Sequence, residues 1–314
     1  MLHEALEALA LHPGGRYIDA TFGGGGHSGQ ILERIAPDGR LLAFDADAAA
    51  QERVARLASK LNNSDRIVFA HANFGDLSQV ALEFGFERVD GVLFDFGLSS
   101  FQLDEPERGF AFRNDGPLDM RMNATTGQTA ADLVATIDEA ALVKLLFEYG
   151  EESQARRIAR AIVREREVTP IETTTQFAEL VERAVGGRRG AKIHPATRTF
   201  QAIRIAVNDE LDSIRRGLAG AVDRLAPGGR LVTIAFHSLE DRIAKQFIAA
   251  ESTTCTCPPE IPICVCGAKP RLRRVGGSRK PSTEEIAHNP RARSAIMRVA
   301  ERLPDEETER QEAG

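Results

Sequence analysis

Short β-type runs alternate with helical stretches through the first hundred residues, and this alternation limits the possible folds more than any other feature of the chain. The stretches between the runs carry apolar residues at helical spacing, as in Val54, Leu57 and Leu61. Strands joined by helices are typical of parallel sheets with helical layers. The sequence therefore predicts an α/β fold, with strands at residues 16–21, 40–47, 67–72 and 89–96.

The pattern changes after Phe96 to a loop rich in Gly, Asp and Pro, followed by helical segments without a strand candidate. We expect helices at 130–149, 154–167, 174–185 and 197–224. The last should stop at Pro227-Gly228-Gly229, since such a sequence terminates helices. Strands are predicted again at 230–236 and 294–302. The helix between them is expected to begin with Ser238 as its cap and Asp241 three residues later.

An all-helical insertion thus interrupts one α/β domain. We predict that the first part of that domain spans 1–105, the insertion 106–200 and the second part 201–303. The acidic residues 304–314 are expected to form a disordered tail.

Composition excludes several classes of protein. The 40 Lys and Arg against 46 Asp and Glu leave a net charge of −6, which argues against indiscriminate coating of nucleic acid. No stretch has the roughly 18 apolar residues of a membrane span, and the first residues lack the features of a signal peptide. We therefore expect a cytoplasmic protein without membrane association. Oligomeric state stays open between a monomer and a homodimer.

A glycine-rich loop follows the first predicted strand. Gly24, Gly26 and Gly29 satisfy the G-x-G-x-x-G pattern between a strand and a helix. Asp45 follows about 20 residues later at the end of the second strand, where a carboxylate can accept hydrogen bonds from ribose hydroxyls. A nucleoside-containing ligand is predicted; the alternative is that the glycines only form a tight turn.

The charges around the loop favour S-adenosyl-L-methionine over a dinucleotide. Asp19 would repel a pyrophosphate but suits, directly or through water, the ammonium group of a methionine moiety. The helix N-terminus at His27 suits the carboxylate of that moiety, although His27 has the alternative role of an ordinary first-turn residue. Asp95 ends the fourth strand at the expected switch point of the sheet, where ligands meet catalytic groups.

Seven strings along the chain make a specific resemblance. They are 21–28 (TFGGGGHS), 94–104 (FDFGLSSFQLD), 108–112 (RGFAF), 115–122 (DGPLDMRM), 194–205 (HPATRTFQAIRI), 236–242 (FHSLEDR) and 289–294 (NPRARS). In order and spacing the chain resembles the RsmH (MraW) family of bacterial 16S ribosomal RNA cytosine-N4 methyltransferases from residue 2 to about residue 303. Family members usually begin with a short His- and Pro-containing segment that this sequence lacks.

The resemblance implies a Rossmann-like class I methyltransferase domain with an inserted helical domain. It implies S-adenosyl-L-methionine as cofactor, and as substrate a cytidine in the decoding centre, the P-site region, of 16S rRNA in the small ribosomal subunit. The family's donor-binding residues fall on Gly25, Gly26, His27, Asp45, Phe74, Asp95 and Gln102. Phe74 would form an apolar wall for adenine, with simple core packing as the alternative.

Methylation of an exocyclic amine requires a hydrogen-bond acceptor for the amine, because the nitrogen lone pair is delocalised into the ring. Asp95, or the backbone carbonyls of Phe96 and Gly97, would accept the amine hydrogens, so Asp95 and Phe96 are the predicted catalytic residues. An aromatic ring would stack on the base. The sequence does not choose among Phe96, Phe101, Phe110 and Phe112.

Basic residues are predicted to hold the RNA backbone beside a flipped-out base. Residues 269–302 carry ten Lys or Arg against three Glu, and we assign RNA binding there to Arg271, Arg273 and Arg274. A second cluster in the insertion contains Arg188, Arg189, Lys192, Arg198 and Arg204, of which the first three are predicted RNA ligands. A solvated charged face is the alternative for both clusters.

Several polar residues have two interpretations. Asp115, Asp119 and Arg121 either shape the cytosine pocket or cap turns and pair with one another. His194 and His237 show the same ambiguity between substrate contact and a structural role.

All four cysteines lie in one short segment, as C-x-C, six residues, then C-x-C. Zinc knuckles prefer two to four residues between paired cysteines, so reduced thiols are expected and a structural metal is the alternative. The positions are Cys255, Cys257, Cys264 and Cys266. Catalysis requires no metal.

Two other functions remain as alternatives. An amino methyltransferase acting on DNA or protein would be expected to carry an Asn-Pro-Pro-Tyr-type motif, which is absent after the fourth strand. The second is a non-catalytic RNA-binding ribosome assembly factor that retains the fold. The intact glycine loop with Asp45 and Asp95 argues against it.

Overall fold

The computed structural model describes residues 1–61, 65–188, 190, 193–255, 257 and 266–305. Two compact units divide the chain. The first combines residues 1–97 with the described residues from Leu211 onward, and the second is Leu98–Glu210. Among the described residues, no helix combines the length and the apolar character that crossing a membrane demands.

The first unit contains a sheet with the order β3-β2-β1-β4-β5-β7-β6. The strands β1 to β5 run parallel, and β7 is antiparallel to both β5 and β6. The chain moves outward from β1 to β3 and then returns to β4 on the other side of β1, so the switch point lies between β1 and β4. The strands are β1 Arg16–Asp19, β2 Arg40–Asp45, β3 Ile67–His71, β4 Val89–Asp95, β5 Leu225–Ala235, β6 Leu272–Arg274 and β7 Ile296–Arg302.

The helices of the described residues fall into two groups, one for each unit. Those before and after the insertion accompany the sheet, whereas α5 to α10 belong to the second unit. They are α1 Leu2–Ala8, α2 Gly26–Arg34, α3 Ala50–Leu61, α4 Leu77–Glu83, α5 Ser100–Asp104, α6 Ala130–Thr136, α7 Glu139–Gly150, α8 Ala155–Arg166, α9 Thr174–Val185, α10 Ala196–Val207, α11 Glu210–Arg224, α12 Ser238–Glu251 and α13 Thr283–His288.

The central strands are apolar on both faces. Leu41, Leu42, Ala43 and Phe44 of β2 are consecutive and fully buried. Continuous burial of this kind is typical of a parallel sheet covered on both sides, and each buried leucine or phenylalanine contributes about 1.5–3 kcal/mol. The predicted Rossmann-like α/β fold with an inserted helical domain is confirmed.

The second unit is helical and has its own core. Phe177 of α9 and Phe200 of α10 pack with their ring centroids 5.3 Å apart. Leu142, Leu146 and Ile158 from α7 and α8 complete the same core and are fully buried. Leu142 and Leu146 lie four positions apart in α7, which is the spacing that made the helical periodicity readable in the sequence.

The predicted helix 197–224 is wrong in one respect, because α10 ends at Val207 and α11 begins at Glu210. Asn208 donates through Nδ2 to the Met120 carbonyl at 2.7 Å and accepts from the Met122 amide at 2.7 Å. Asp209 then adopts a positive φ of 49°. A left-handed residue interrupts a helix, so a loop distant in sequence determines this break.

Other helix boundaries also differ from the prediction. The stretch 130–149 contains α6 and α7, since Asp138 caps α7 by accepting from the Ala141 amide at 2.9 Å. The cap of α12 is His237 rather than Ser238. Glu240 accepts from the backbone amides of Phe236 and His237.

Strand boundaries also differ from the prediction. Strand β5 begins at Leu225, before the predicted 230, and β6 was not predicted. Both strands pair with distant partners, β5 with β4 and β7, and β6 with β7.

Candidate functional site

The glycine loop leaves β1 at Asp19 and enters α2 at Gly26. Gly25 is the N-cap of α2 with φ of 80°, and a Cβ there would lie 2.8 Å from Cζ of Phe22. A side chain is therefore excluded both by the backbone conformation and by the contact. A Cβ at Gly26, in contrast, would meet no heavy atom of the described residues within 4 Å. The Cβ position of Gly26 thus faces open space, and the first amides of a helix have no partner within the helix, so they can serve an anion.

Asp45 at the end of β2 is fixed by two backbone amides. Its Oδ2 accepts from Gly23 at 2.9 Å, and its Oδ1 accepts from Asp47 at 2.9 Å. Burial raises the pKa of Asp45. Each carboxylate oxygen retains a second acceptor position, so the group is able to accept hydrogen bonds from the hydroxyls of a ribose.

Arg53 of α3 supports this arrangement and was not predicted from the sequence. It is 9% exposed, its Nε donates to the Gly23 carbonyl at 2.8 Å, and its Nη2 lies 3.6 Å from Oδ2 of Asp47. The available signal was an arginine next to Val54 on the otherwise apolar face of α3. Arg53 therefore holds the glycine loop through the backbone carbonyl of Gly23.

Asp19 stabilises the glycine loop through two hydrogen bonds. It is 1% exposed; its Oδ2 accepts from the Ser28 hydroxyl at 2.7 Å and its Oδ1 from the Thr21 amide at 3.2 Å. Burial raises the pKa of Asp19. A direct contact with an ammonium group does not fit this position, because so little of Asp19 is accessible, and the contact through water stays a prediction. Asp19 instead ties the loop to the first turn of α2.

Asp95 and His27 meet at the switch point. The Asp95 amide donates to the Thr21 hydroxyl oxygen at 2.7 Å, which joins the end of β4 to the glycine loop. His27 Nδ1 lies 3.6 Å from Oδ2 of Asp95. The other atoms of this pair, Asp95 Oδ1 and His27 Nε2, are buried without a hydrogen-bond partner among the described residues.

Burial shifts both groups of this pair toward their neutral forms. It raises the pKa of Asp95 to about 7, and it lowers the pKa of His27. A carboxyl group with a pKa near neutrality is able both to accept and to release a proton under ordinary conditions. Its position and raised pKa would suit Asp95 to proton transfer, and its catalytic role stays a prediction.

Phe74 begins a short turn after β3, in which Asn73 Oδ1 accepts from the Gly75 amide at 2.7 Å. Its ring lies 5.7 Å from that of Phe94 and 6.0 Å from that of Phe96. A Cβ on Gly217 of α11 would lie 2.9 Å from Cδ2 of Phe74. Phe74 is only partly buried, so its role combines packing with an accessible apolar surface.

The four phenylalanines considered for base stacking differ in exposure. Phe96 is 2% exposed and Phe110 is 7% exposed, whereas Phe101 is 46% exposed. Phe112 packs against His194 and Phe200, with ring centroids 4.5 and 4.7 Å away. The Phe96 ring is thus covered, and the acceptor role of its backbone carbonyl stays a prediction. Phe101 presents the most open ring.

Gln102 belongs to the second unit and is 5% exposed. Its Oε1 accepts from the Ser99 amide at 3.0 Å, and its own amide donates to the Ser99 hydroxyl at 3.3 Å. These bonds form the capping box of α5. A contribution of Gln102 to donor binding stays a prediction made from the resemblance.

The polar residues with two interpretations make local structural contacts. Arg121 forms two hydrogen bonds with Asp119, each at 2.8 Å, and Asp115 accepts from the Thr175 amide at 3.0 Å. His194 accepts from the Ala196 amide at 3.1 Å, and its other nitrogen lies 3.1 Å from Glu182. These contacts match the structural alternative for each, and a substrate role stays untested.

The C-terminal basic cluster is largely engaged with carboxylates. Arg271 contacts Glu251 at 2.7 and 2.9 Å and Asp223 at 2.9 Å, and the hydrogen bond to Glu251 raises the pKa of Arg271. Arg273 pairs with Glu301, and Arg274 is exposed. Arg271 thus connects the end of α12 to β6, and its predicted contact with RNA competes with these ion pairs.

In the second unit, Arg188 lies at a cleft of about 700 Å³. Arg157, Arg198 and Gln201 line the same cleft, and all three arginines are exposed. Arg188 also lies 3.4 Å from Glu182. Arg189 and Lys192 lie outside the described residues, so the structure provides no information on them.

Comparison with known proteins adds an independent line of evidence. A family model described as the MraW methylase family matches residues 1–303. A protein from Thermomicrobium roseum named ribosomal RNA small subunit methyltransferase H is 56% identical over 304 residues, which cover 96% of this chain and 92% of that protein. A protein of the same name from Syntrophotalea carbinolica is 50% identical over 307 residues, covering 96% of each.

Among solved structures, a putative rRNA-methylase from Clostridium thermocellum matches with a TM-score of 0.45 at 10% identity, over 96% of this chain and 95% of that one. Such a value is too low to support an argument, and the assignment of the fold depends on the strand order and connections described above.

Proposed function

The chain belongs to the MraW methylase family, and on this premise we propose that it methylates N4 of a cytidine in the decoding centre of 16S rRNA. The resemblance seen in the seven sequence strings is confirmed. The chain is an rRNA methyltransferase whose cofactor is S-adenosyl-L-methionine. Cytosine as the base, N4 as the acceptor and the P-site region as the location constitute the proposal.

The residues of the first unit fit the donor. Asp45 would accept from the ribose hydroxyls, and Phe74 would provide an apolar wall for the adenine. The open space beside Gly26 at the start of α2 would take the methionine carboxylate, next to the amides of Gly26 and His27. When bound, the donor supplies a methyl group on a positively charged sulfur.

Asp95 carries the chemical part of the proposal, because it lies at the switch point with a buried oxygen that lacks a partner among the described residues. The Asp95 carboxylate would accept a hydrogen bond from the N4 amine, which orients the nitrogen lone pair toward the methyl group. As the new C–N bond forms, the electron pair of the C–S bond remains with sulfur. The amine proton then passes to Asp95, whose pKa of about 7 suits this transfer.

The Phe96 carbonyl would provide a second acceptor for the same amine. Most of the rate acceleration is expected from alignment, since well-oriented reactants gain about 7–11 kcal/mol. His27 helps to hold the end of the glycine loop against Asp95.

The RNA contacts are assigned to the second unit and the C-terminal segment. Reaching a base requires that it be unpaired or flipped out, at a cost of a few kcal/mol, so the flanking phosphates must be held. The exposed Arg157, Arg188 and Arg198 around the 700 Å³ cleft have the charge for this role. Arg273 and Arg274 of the predicted C-terminal set are exposed, while Arg271 and Arg273 have carboxylate partners.

The decisive experiment compares 16S rRNA from a deletion strain with and without the gene on a plasmid. Mass spectrometry of the digested RNA should show loss and recovery of an N4-methylated cytidine. A plasmid that encodes the Asp95→Asn protein is the control, because it tests whether the protein restores the modification without its predicted catalytic residue. If Asp95→Asn protein restored the modification fully, the catalytic assignment would be wrong; if no cytidine changed in any strain, the proposed reaction itself would be wrong.

A further inference from the structure

Three cysteine side chains come together between α12 and β6, apart from the glycine-loop site. The sulfur atoms of Cys255, Cys257 and Cys266 all lie within 4.8 Å of one another. The Sγ atoms of Cys255 and Cys266 are 3.9 Å apart. We infer that these three thiolates bind one Zn²⁺ ion that organises this segment.

The distances favour metal coordination over a disulfide. Sulfur atoms bound tetrahedrally to one zinc at about 2.3 Å are separated by about 3.8 Å, close to the value found for Cys255 and Cys266. A disulfide would require the two sulfur atoms at about 2.05 Å. Three thiols in mutual proximity also exceed what one disulfide uses.

Burial does not explain the cluster either. Reduced cysteines that serve only as small apolar residues are usually buried. Here Cys255 and Cys266 are exposed and Cys257 is only partly buried. Packing against a core therefore supplies little reason for the three sulfur atoms to converge at this place.

Local hydrogen bonding also suits a metal-bound sulfur atom. The Cys257 amide donates to Sγ of Cys255 at 3.4 Å, and a donor directed at sulfur stabilises its negative charge. Thiolates are soft ligands that select Zn²⁺ over Mg²⁺ or Ca²⁺. The three thiols would fill three of the four positions of a tetrahedral site. The remaining cysteine of the sequence, Cys264, lies outside the described residues.

Glu251 and Arg271, which flank the cysteines in the sequence, contact each other without involving the cysteines. The Arg271 amide donates to the Glu251 carbonyl at 2.9 Å, and the side chains of these two residues form a double ion pair. Zinc would link three sulfur atoms that lie outside these contacts. Loss of the metal should therefore leave the sheet folded.

The test measures metal in the full-length protein purified without chelators or an affinity metal. We expect about one zinc per chain by elemental mass spectrometry, and below about 0.1 in Cys255→Ser, Cys257→Ser and Cys266→Ser. Wild-type protein stripped of zinc and titrated with Co²⁺ should develop the sulfur-to-metal charge-transfer absorption of a tetrahedral thiolate site. Zinc content below about 0.1 in the wild type, together with no such absorption, would overturn the inference.

Thr254→Ala is the matched control, because Thr254 is exposed and adjacent to Cys255. It should retain its zinc. Loss of zinc from Thr254→Ala to the same extent as from the cysteine variants would argue against thiolate coordination. Circular dichroism and titration with S-adenosyl-L-methionine verify that the cysteine variants are folded. A change in their zinc content then reports on the missing thiol and not on unfolding.

Discussion

His27 Nδ1 lies 3.6 Å from Oδ2 of Asp95, so the first turn of α2 meets the end of β4 at the switch point of the sheet. Burial lowers the pKa of the histidine and raises that of the aspartate to about 7. The neutral forms are thereby favoured in both groups. The contact joins the predicted donor-binding loop to the predicted proton acceptor.

Replacing Asp95 should reduce catalysis far more than donor binding. Asp95→Asn keeps the size of the side chain but cannot take the amine proton, so kcat should fall about 100-fold or more. Titration calorimetry should show a much smaller change in the Kd of S-adenosyl-L-methionine. Asp90→Asn is the control, since Asp90 lies near the other end of β4 and accepts from the Arg16 amide. Equal losses in both variants would assign Asp95 a structural role.

Activity should depend on pH through the ionisation of Asp95. Its carboxylate is the acceptor, and its pKa is raised to about 7, so kcat/KM should rise about tenfold per pH unit below 7 and level off above it. The rising limb should disappear in the residual activity of Asp95→Asn. A profile that is flat from pH 5.5 to 7 in the wild type, a window of about 1.5 units below that pKa, would contradict this assignment.

Gly26→Ala tests the open space at the start of α2. The added Cβ meets no described heavy atom within 4 Å, so the melting temperature should change little, whereas the Kd of S-adenosyl-L-methionine should increase about tenfold or more. Gly277→Ala is a matched control, because its Cβ also meets nothing within 4 Å but lies outside the loop. Unchanged donor affinity in Gly26→Ala would place the ligand elsewhere.

Gly25→Ala should behave differently from its neighbour. Its φ of 80° and the 2.8 Å approach of the new Cβ to Phe22 both oppose folding, so we expect a loss of about 1–3 kcal/mol in the free energy of unfolding. Gly14→Ala separates the two causes, since Gly14 has φ of 76° but an open Cβ position. Chemical denaturation should show a larger loss for Gly25→Ala than for Gly14→Ala.

The arginines of the cleft should govern the salt dependence of RNA binding. Neutralising Arg157, Arg188 and Arg198 together should weaken binding to 16S rRNA and lower the slope of log K against log salt by about 2. Arg56→Ala is a control from α3, where Arg56 is exposed and near Glu52. Filter binding over a range of salt concentrations measures both quantities. An unchanged slope would exclude this cleft from contact with phosphates.

Periodicity and local motifs determined most of the fold and the loop of the site. The continuous apolar runs of β1 to β4 and the three- and four-residue spacing in α7 to α9 are properties of adjacent residues, so they could be read directly. The glycine loop and Asp45 were identified for the same reason, because the loop, strand end and helix start are consecutive in the chain.

What only the tertiary structure decided depends on residues far apart in sequence. Asn208 breaks the predicted helix by bonding to Met120 and Met122, and Arg271 turns toward Glu251 and Asp223. The pKa of Asp95 follows from its burial, at the end of a strand that lies between β1 and the much later β5. A sequence pattern records what each residue prefers locally, whereas these partners are determined by which surfaces meet after folding, through contacts that no local preference encodes.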